Sequence, residues 1–422
     1  MLRSFFSVIR WVNLLYLLLT FCGFRFLLIN PLFQLAGYTP SLSNAAFVLL
    51  ALSVILVAAG GYIINDYFDV EADMVNKPHK VVIGNQISPD TAMRWYYLCN
   101  TAGIASGFWL AWQAGNVKLG FIHIFSAAML WFYATYFKRK PLTGNLLVSF
   151  MVALSIFCIL LFDTEMRAFT AIKMKEILKS GFETLTGYIV AAPELTGYTN
   201  KELFETIFTF VTTYAGFAFL LNLIRELVKD LEDAPGDEEA GYRTLPLVAG
   251  FAFTKLLAGA TVLLTIKLIT NFQIEQALTG QLWVAVATLM LIQLPLMYVV
   301  YKLWVTNQKA GFTQISRVVK VVMLLGLAYL PYLRATIVYT PQQMVLPPGI
   351  ESISVDIDST QTQKPDTTAT KSANPDTAVI VIDPNAPQTT PATTIESETD
   401  LPKSMQPKPA GNVPAIDDDL LK

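Results

Sequence analysis

Charge is what this 422-residue sequence has least of: Asp, Glu, Lys and Arg make up 15% of it, against 54% hydrophobic residues. Soluble domains are about a quarter charged. A chain of this length with a mean hydropathy of +0.48 is therefore excluded from the soluble class and read as an integral membrane protein. Cysteine is scarce too. Cys22, Cys99 and Cys158 fall in or beside apolar runs, at spacings that fit neither a zinc site nor a redox pair, and are read as packing residues. A basic excess is also missing: the formal net charge is -2, with a slightly basic main part and an acidic final stretch. That excludes a nucleic-acid footprint. No small-residue cleavage site follows MLRSFFSVIRWVNLLYLLLTF at the N-terminus, so this opening reads as an uncleaved first transmembrane helix, not a signal peptide.

What the sequence does have is apolar runs of about 20 residues, the length a hydrocarbon core requires. They cover 11 to 29, 43 to 64, 91 to 114, 119 to 137, 145 to 162, 203 to 224, 247 to 270, 281 to 303 and 318 to 338, which predicts about nine spans. Lys and Arg gather on one side if these alternate: Arg3 and Arg10, then Lys77 and Lys80, then Lys138, Arg139 and Lys140, then Arg225, Lys229 and Arg243, then Lys302, Lys309, Arg317 and Lys320. By the positive-inside rule that side is cytoplasmic. The N-terminus is then expected inside an inner, cytoplasmic membrane and the C-terminal tail outside.

Two segments fall outside this pattern. Residues 163 to 201 link spans five and six with a moderately apolar stretch, AFTAIKMKEILKSGFETLTGYIV, whose spacing suits a helix at the interface or a small external cap. Residues 341 to 422 are rich in Pro, Thr, Asp and Ser, and cannot bury enough apolar surface to offset ordering entropy. A disordered tail dispensable for chemistry is expected there, after a transmembrane domain over residues 1 to 340.

Acidic residues concentrate at two span ends. NDYFDVEAD, residues 65 to 73, places Asn65, Asp69 and Asp73 four apart, one helical face, with Asp66 beside them. After span six, NLIRELVKDLEDAPGD, residues 222 to 237, sets Glu226, Asp230, Asp233 and Asp237 at spacings of four, three and four. Stacked carboxylates at a membrane boundary repel unless neutralised, and hard divalent cations with oxygen ligands are the natural partner. All eight residues are therefore candidate Mg2+ ligands. Octahedral Mg2+ keeps positions open for phosphate oxygens, which implies a phosphorylated substrate. Lys77, Lys80, Arg94, Lys138, Arg139, Arg225, Lys229 and Arg243, with Asn65, are candidates for its phosphate groups.

These motifs carry a resemblance. NDYFDVEAD resembles the NDxxDxxxD signature of the UbiA-type prenyltransferase superfamily, and DAPGD its second DxxxD signature. KPHKVVIGNQIS is similar to the family's KPxRPIPSGxIS, and YFKRKPLTGNLLVS to the basic loop before its fifth helix. The likeness covers roughly residues 10 to 338, outside the insert. It departs at Val81, where the family often has Pro, at Lys80, where it often has Arg, and in the longer insert. The resemblance implies an all-α fold of about nine helices around a central cavity, with Mg2+ holding a prenyl diphosphate at the cytosolic end. Asn65, Asp66, Asp69 and Asp73 match the first motif, and Asp233 and Asp237 the second; Asp69, Asp73, Asp233 and Asp237 are the expected catalytic acids. The wording RELVKDLEDAPGDEEAGYRTLP is most similar to the geranylgeranylglycerol-phosphate geranylgeranyltransferase branch, which implies a glycerol-phosphate lipid acceptor.

On this reading the prenyl carbon–oxygen bond ionises and Tyr67, Phe68, Tyr136 and Tyr214 are candidates to stabilise the cation. A tail among apolar helices gains about 0.8 kcal/mol per buried CH2. Three alternatives remain open: an aromatic acceptor such as a quinone or tetrapyrrole precursor, a secondary transporter, and a structural membrane protein with an external scaffold tail. Transporter carboxylates sit near the midplane, whereas these lie at span ends.

Overall fold

The computed structural model describes residues 2–35, 39–180, 200–278 and 280–339. The tail, 341 to 422, and the later part of the insert, 181 to 199, lie outside the described residues, and with them the expectation of disorder. Among the described residues nine long helices follow one another, α1 to α9: Trp11–Gln34, Asn44–Phe68, Pro89–Gln113, Val117–Thr135, Thr143–Phe162, Asn200–Glu239, Phe251–Leu278, Leu282–Val305 and Lys309–Tyr339. No strand occurs among them beyond an isolated bridge between Ile83 and Ile87. Eight are long and apolar enough to cross a membrane. The ninth, α3, has the length at 25 residues, but Asp90, Arg94 and Asn100 dilute its apolar content.

Local chemistry sets the ends. Ser43 Oγ accepts from the Ala46 N–H at 3.2 Å to open α2, and Ser88 Oγ accepts from Thr91 N–H at 3.2 Å to open α3, with Pro89 in the first turn. Gly115, at φ +70, ends α3 in a left-handed turn that a side chain would strain. Leu15, Leu18, Leu52, Leu263, Leu291 and Met297 stay exposed on the outside of the bundle. In a bilayer that surface is satisfied by lipid, while Phe24, Phe47, Phe162 and Phe208 fill the interior at one end and Leu227, Val262, Val299 and Val319 at the other.

Two departures from regular helix bear on the interior. Both α1 and α8 contain a π-turn, over Phe24–Ile29 and Leu289–Gln293, and such turns re-aim side chains. The described part of the insert is a helix, Thr164–Ser180, folded back on the bundle. Its Met166 and Ile177 are buried, and Phe169 meets Phe204 and Phe208 at 6.0 and 6.3 Å. Asp163 pins its start, accepting from Leu42 N–H at 3.2 Å and Met166 N–H at 3.3 Å.

Candidate active site

The first acidic segment is not one uninterrupted helix. α2 stops at Phe68, Asp69 stands alone at φ -93 and ψ 0, and a short helix resumes over Val70–Asn76. The four-residue backbone ladder nevertheless continues, from Asp69 N–H to Asn65 O at 3.0 Å and from Asp73 N–H to Asp69 O at 2.8 Å. Asn65 and Asp69 are 5% and 3% exposed, and Asn65 Nδ2 donates to Asp69 Oδ2 at 2.6 Å. A buried carboxylate needs an opposite charge. Lys138, from the turn after α4, supplies it as an ion pair to the same oxygen. Burial lowers the Lys138 amine, but the Asp69 carboxylate outweighs it and the net direction is up.

The second segment is a continuous stretch of α6, carried through Pro235 to Glu239. Glu226 pairs with Arg225 at 2.9 Å, Asp230 accepts from Asn145 Nδ2 at 2.9 Å, and Asp233 pairs with Lys77 at 2.7 Å. Asp237 is buried without an ion pair among the described residues.

Asn76 joins the two segments. Its Nδ2 donates to Asp233 O at 2.8 Å, its Oδ1 accepts from Gly236 N–H at 3.3 Å, and Lys309 Nζ at the start of α9 donates to its carbonyl at 2.6 Å. Backbones approach closely here because residue 236 has no side chain: a Cβ would lie 2.6 Å from Ala72 O and 2.3 Å from Asn76 Nδ2. Both acidic segments therefore lie at the same end of the bundle. Burial first, then the Asp69 charge, pushes the Asp73 carboxyl above its usual range.

Inward from this end runs a cavity of about 440 Å3. Its α6 wall shows the change of character along one helix: Phe210, Tyr214 and Phe217 line it first, then Asn222, Arg225, Glu226 and Lys229. An apolar channel with one charged end suits a molecule that has a greasy tail and an anionic head.

A metal is expected at the acids. Among the described residues no group of three Asp, Glu, His or Cys side chains converges as a metal site; Lys77, Lys138 and Arg10 stand between them instead. Yet Asn65 Oδ1 and Asp69 Oδ1 are buried oxygens with no partner. Such atoms are costly to leave empty, and two adjacent hard oxygen acceptors fit a divalent cation. Four other expected ligands are engaged: Asp66 by Arg10 at 2.6 Å, Glu226 by Arg225, Asp230 by Asn145 and Asp233 by Lys77.

The expected phosphate-binding residues divide. Arg225, Lys229 and Asn65 line the cavity, and Lys77 and Lys138 sit on the carboxylates. Lys80, Arg94, Arg139 and Arg243 are exposed. Arg139 lies 5.1 Å over the Tyr242 ring and accepts from Arg243 N–H through its carbonyl at 3.1 Å, so this pair packs at the rim. Of the four aromatic candidates only Tyr214 lines the cavity, while Tyr136 is 55% exposed. Tyr62 and Tyr133 line it instead.

In the sequence Arg10 and Lys320 count as orientation charges and have no place in the site. Both line the cavity. Arg10 adopts a left-handed backbone, φ 52 and ψ 53, a strained state for a non-glycine residue, and stacks 5.3 Å over Tyr62. Asp66 raises its guanidinium further above its ordinary value. A lysine inside the last apolar run is a legible signal for Lys320, and the likeness of YFKRKPLTGNLLVS to the family's loop is one for Asn145; Asn76 has none.

The UbiA prenyltransferase family model matches residues 26–324. Digeranylgeranylglyceryl phosphate synthase of Hyperthermus butylicus is 31% identical over 235 residues, 56% of this chain and 65% of that relative. The protein of that name from Methanopyrus kandleri is 30% identical over 283 residues, 66% of this chain and 84% of the relative. That from Korarchaeum cryptofilum is 29% identical over 304 residues, 71% and 90%. A solved UbiA homolog from Archaeoglobus fulgidus bound to DMAPP and Mg2+ is 16% identical, with a TM-score of 0.48 over 79% of this chain and 99% of that one.

Proposed function

This chain belongs to the UbiA prenyltransferase family, and from that premise we propose that it moves a prenyl group from a prenyl diphosphate to geranylgeranylglycerol phosphate within the membrane. The observation that carries the reading is the cavity itself: one apolar channel ending at Asn65, Arg225 and Lys229, beside two acidic segments held together through Asn76. Relatives named digeranylgeranylglyceryl phosphate synthase support this choice of acceptor.

Asn65, Asp69, Asp73, Asp233 and Asp237 would hold Mg2+, with the two unpartnered oxygens of Asn65 and Asp69 as its first contacts. When bound, the ion supplies positive charge to phosphate oxygens. Lys77 and Lys138 change partners, from carboxylate to diphosphate, and with Lys229 on the cavity wall stabilise the charge that develops as the allylic carbon–oxygen bond opens. Tyr62, Tyr133 and Tyr214 present ring faces to the prenyl end. The apolar wall beyond keeps water from the cationic carbon and seats the tail where a lipid substrate already resides. Positive-inside asymmetry supports the charged end, and the N-terminus, being on the cytoplasmic side.

The test is turnover of the purified full chain in detergent with labelled geranylgeranyl diphosphate, Mg2+ and a panel of acceptors. Geranylgeranylglycerol phosphate should be prenylated and 4-hydroxybenzoate should not. Preferential prenylation of the aromatic acid would overturn the acceptor assignment, and absence of prenyl transfer to every acceptor, with the chain folded, would overturn the activity.

A further inference from the structure

Six of the seven candidate acids in the two segments stay off the cavity wall. Arg10, Arg225, Lys229 and Lys320 stand on it, with Glu226 as the acid among them. The polar end thus has two compartments of opposite character, a carboxylate-rich one at the segment junction and a cationic one on the cavity side. Depth separates them as well. Lys309 marks the junction by its bond to Asn76, which also holds Asp233. Lys320 stands about three turns further along α9 and Arg225 about two turns before Asp233 on α6, which puts both roughly 12 to 16 Å inward of that junction.

Lys320 has no ion-pair or hydrogen-bond partner among the described residues. Its side chain is exposed on the cavity wall, and an ammonium so placed within a span marks a path or site for an anion. Arg10 and Arg225 spend part of their donor sets on Asp66 and Glu226; a guanidinium has five N–H donors, so each retains others. A diphosphate is matched to the acid-rich compartment, where a divalent cation can bridge. The cationic compartment matches an anion that needs no metal.

We propose that Lys320, with Arg225 and Arg10, forms a metal-independent anion subsite that takes the phosphate monoester of the acceptor and so selects phosphorylated lipids. The inference rests on the prenyl-transfer reading of this cavity and deepens it. Arg225 thereby serves the acceptor, not the diphosphate. A phosphate held there keeps the acceptor's head beside the reacting prenyl carbon while staying off the segment junction that holds Asp233.

Two readouts test it. In EDTA, the full chain in detergent should bind geranylgeranylglycerol phosphate, and Lys320→Met should weaken that binding at least tenfold, with Lys320→Arg restoring most of it. In turnover with Mg2+, Lys320→Met should raise KM for the phosphorylated acceptor about tenfold, leave KM for geranylgeranyl diphosphate within twofold, and lose the preference for the phosphorylated over the dephosphorylated acceptor. Unchanged acceptor binding in EDTA, or a rise in donor KM instead of acceptor KM, would overturn the subsite. Neither result would touch the prenyl-transfer assignment, which fails only if the wild-type chain prenylates no acceptor; the EDTA binding arm decides the subsite even then.

Discussion

The two acidic segments have similar composition and opposite construction. The first is a broken helix whose buried charges are matched by cations from elsewhere in the chain, Arg10 on Asp66 and Lys138 on Asp69. The second is one unbroken helix with mixed partners, Arg225 on Glu226 and Lys77 on Asp233 as cations, Asn145 on Asp230 and Asn76 on the Asp233 backbone as neutral amides. Loss of a charge in the first segment strands a buried opposite charge. Loss of an amide in the second mainly shifts position. The acids of both segments should therefore govern chemistry, and the amides that tie in the second should govern alignment.

The largest expected effect is at Asp69. Asp69→Asn removes the buried carboxylate and an unpartnered oxygen acceptor, and prenyl transfer should fall by about 10³-fold, the scale of losing a main electrostatic group; a loss under tenfold would break the contrast. Next comes Gly236→Val, whose branched side chain must push Ala72 and Asn76 away. A misalignment on the order of 1 Å costs about 10²-fold in turnover, and circular dichroism should show the helices intact. Asn76→Ala deletes the hydrogen bonds linking the segments, and one of the two that Lys309 makes to Asn76, while leaving every acid in place. Unsatisfied buried partners cost about 1–3 kcal/mol, so the detergent Tm should drop measurably, with activity reduced less than by Gly236→Val. Smallest of all is Arg94→Ala, an exposed site at the membrane edge, expected to stay within twofold of wild type in both turnover and Tm.

Length and apolarity make the spans readable in the amino-acid order alone, because a bilayer imposes both. The ends are less so. The apolar run 203 to 224 continues as helix to Glu239, since Asn145, Asn76 and Lys77 neutralise or bind what hydropathy alone counts as a stop. In the same way the run at 318 begins as helix at Lys309, whose amine is spent on Asn76. Four-residue spacing locates the acids, and the backbone ladder through Asp69 keeps that spacing even though the helix breaks. Which base meets which acid is out of reach of spacing: Arg10 and Asp66 are brought together only by the left-handed backbone at Arg10 and the packing of the N-terminal segment on α2. Aromatic placement fails for a related reason, as position in the chain does not say whether a ring faces the cavity, as Tyr214 does, or the outside, as Tyr136 does.

Central to the proposed mechanism is the premise that the two segments serve one cation-binding site. Titration of Mn2+ into the full chain with inorganic diphosphate present, followed by the loss of the free-ion paramagnetic signal, tests this directly. Asp69→Asn and Asp233→Asn should each weaken Mn2+ binding by more than tenfold, and the double variant little further. Wild-type Mn2+ affinity in either single variant would contradict a shared site.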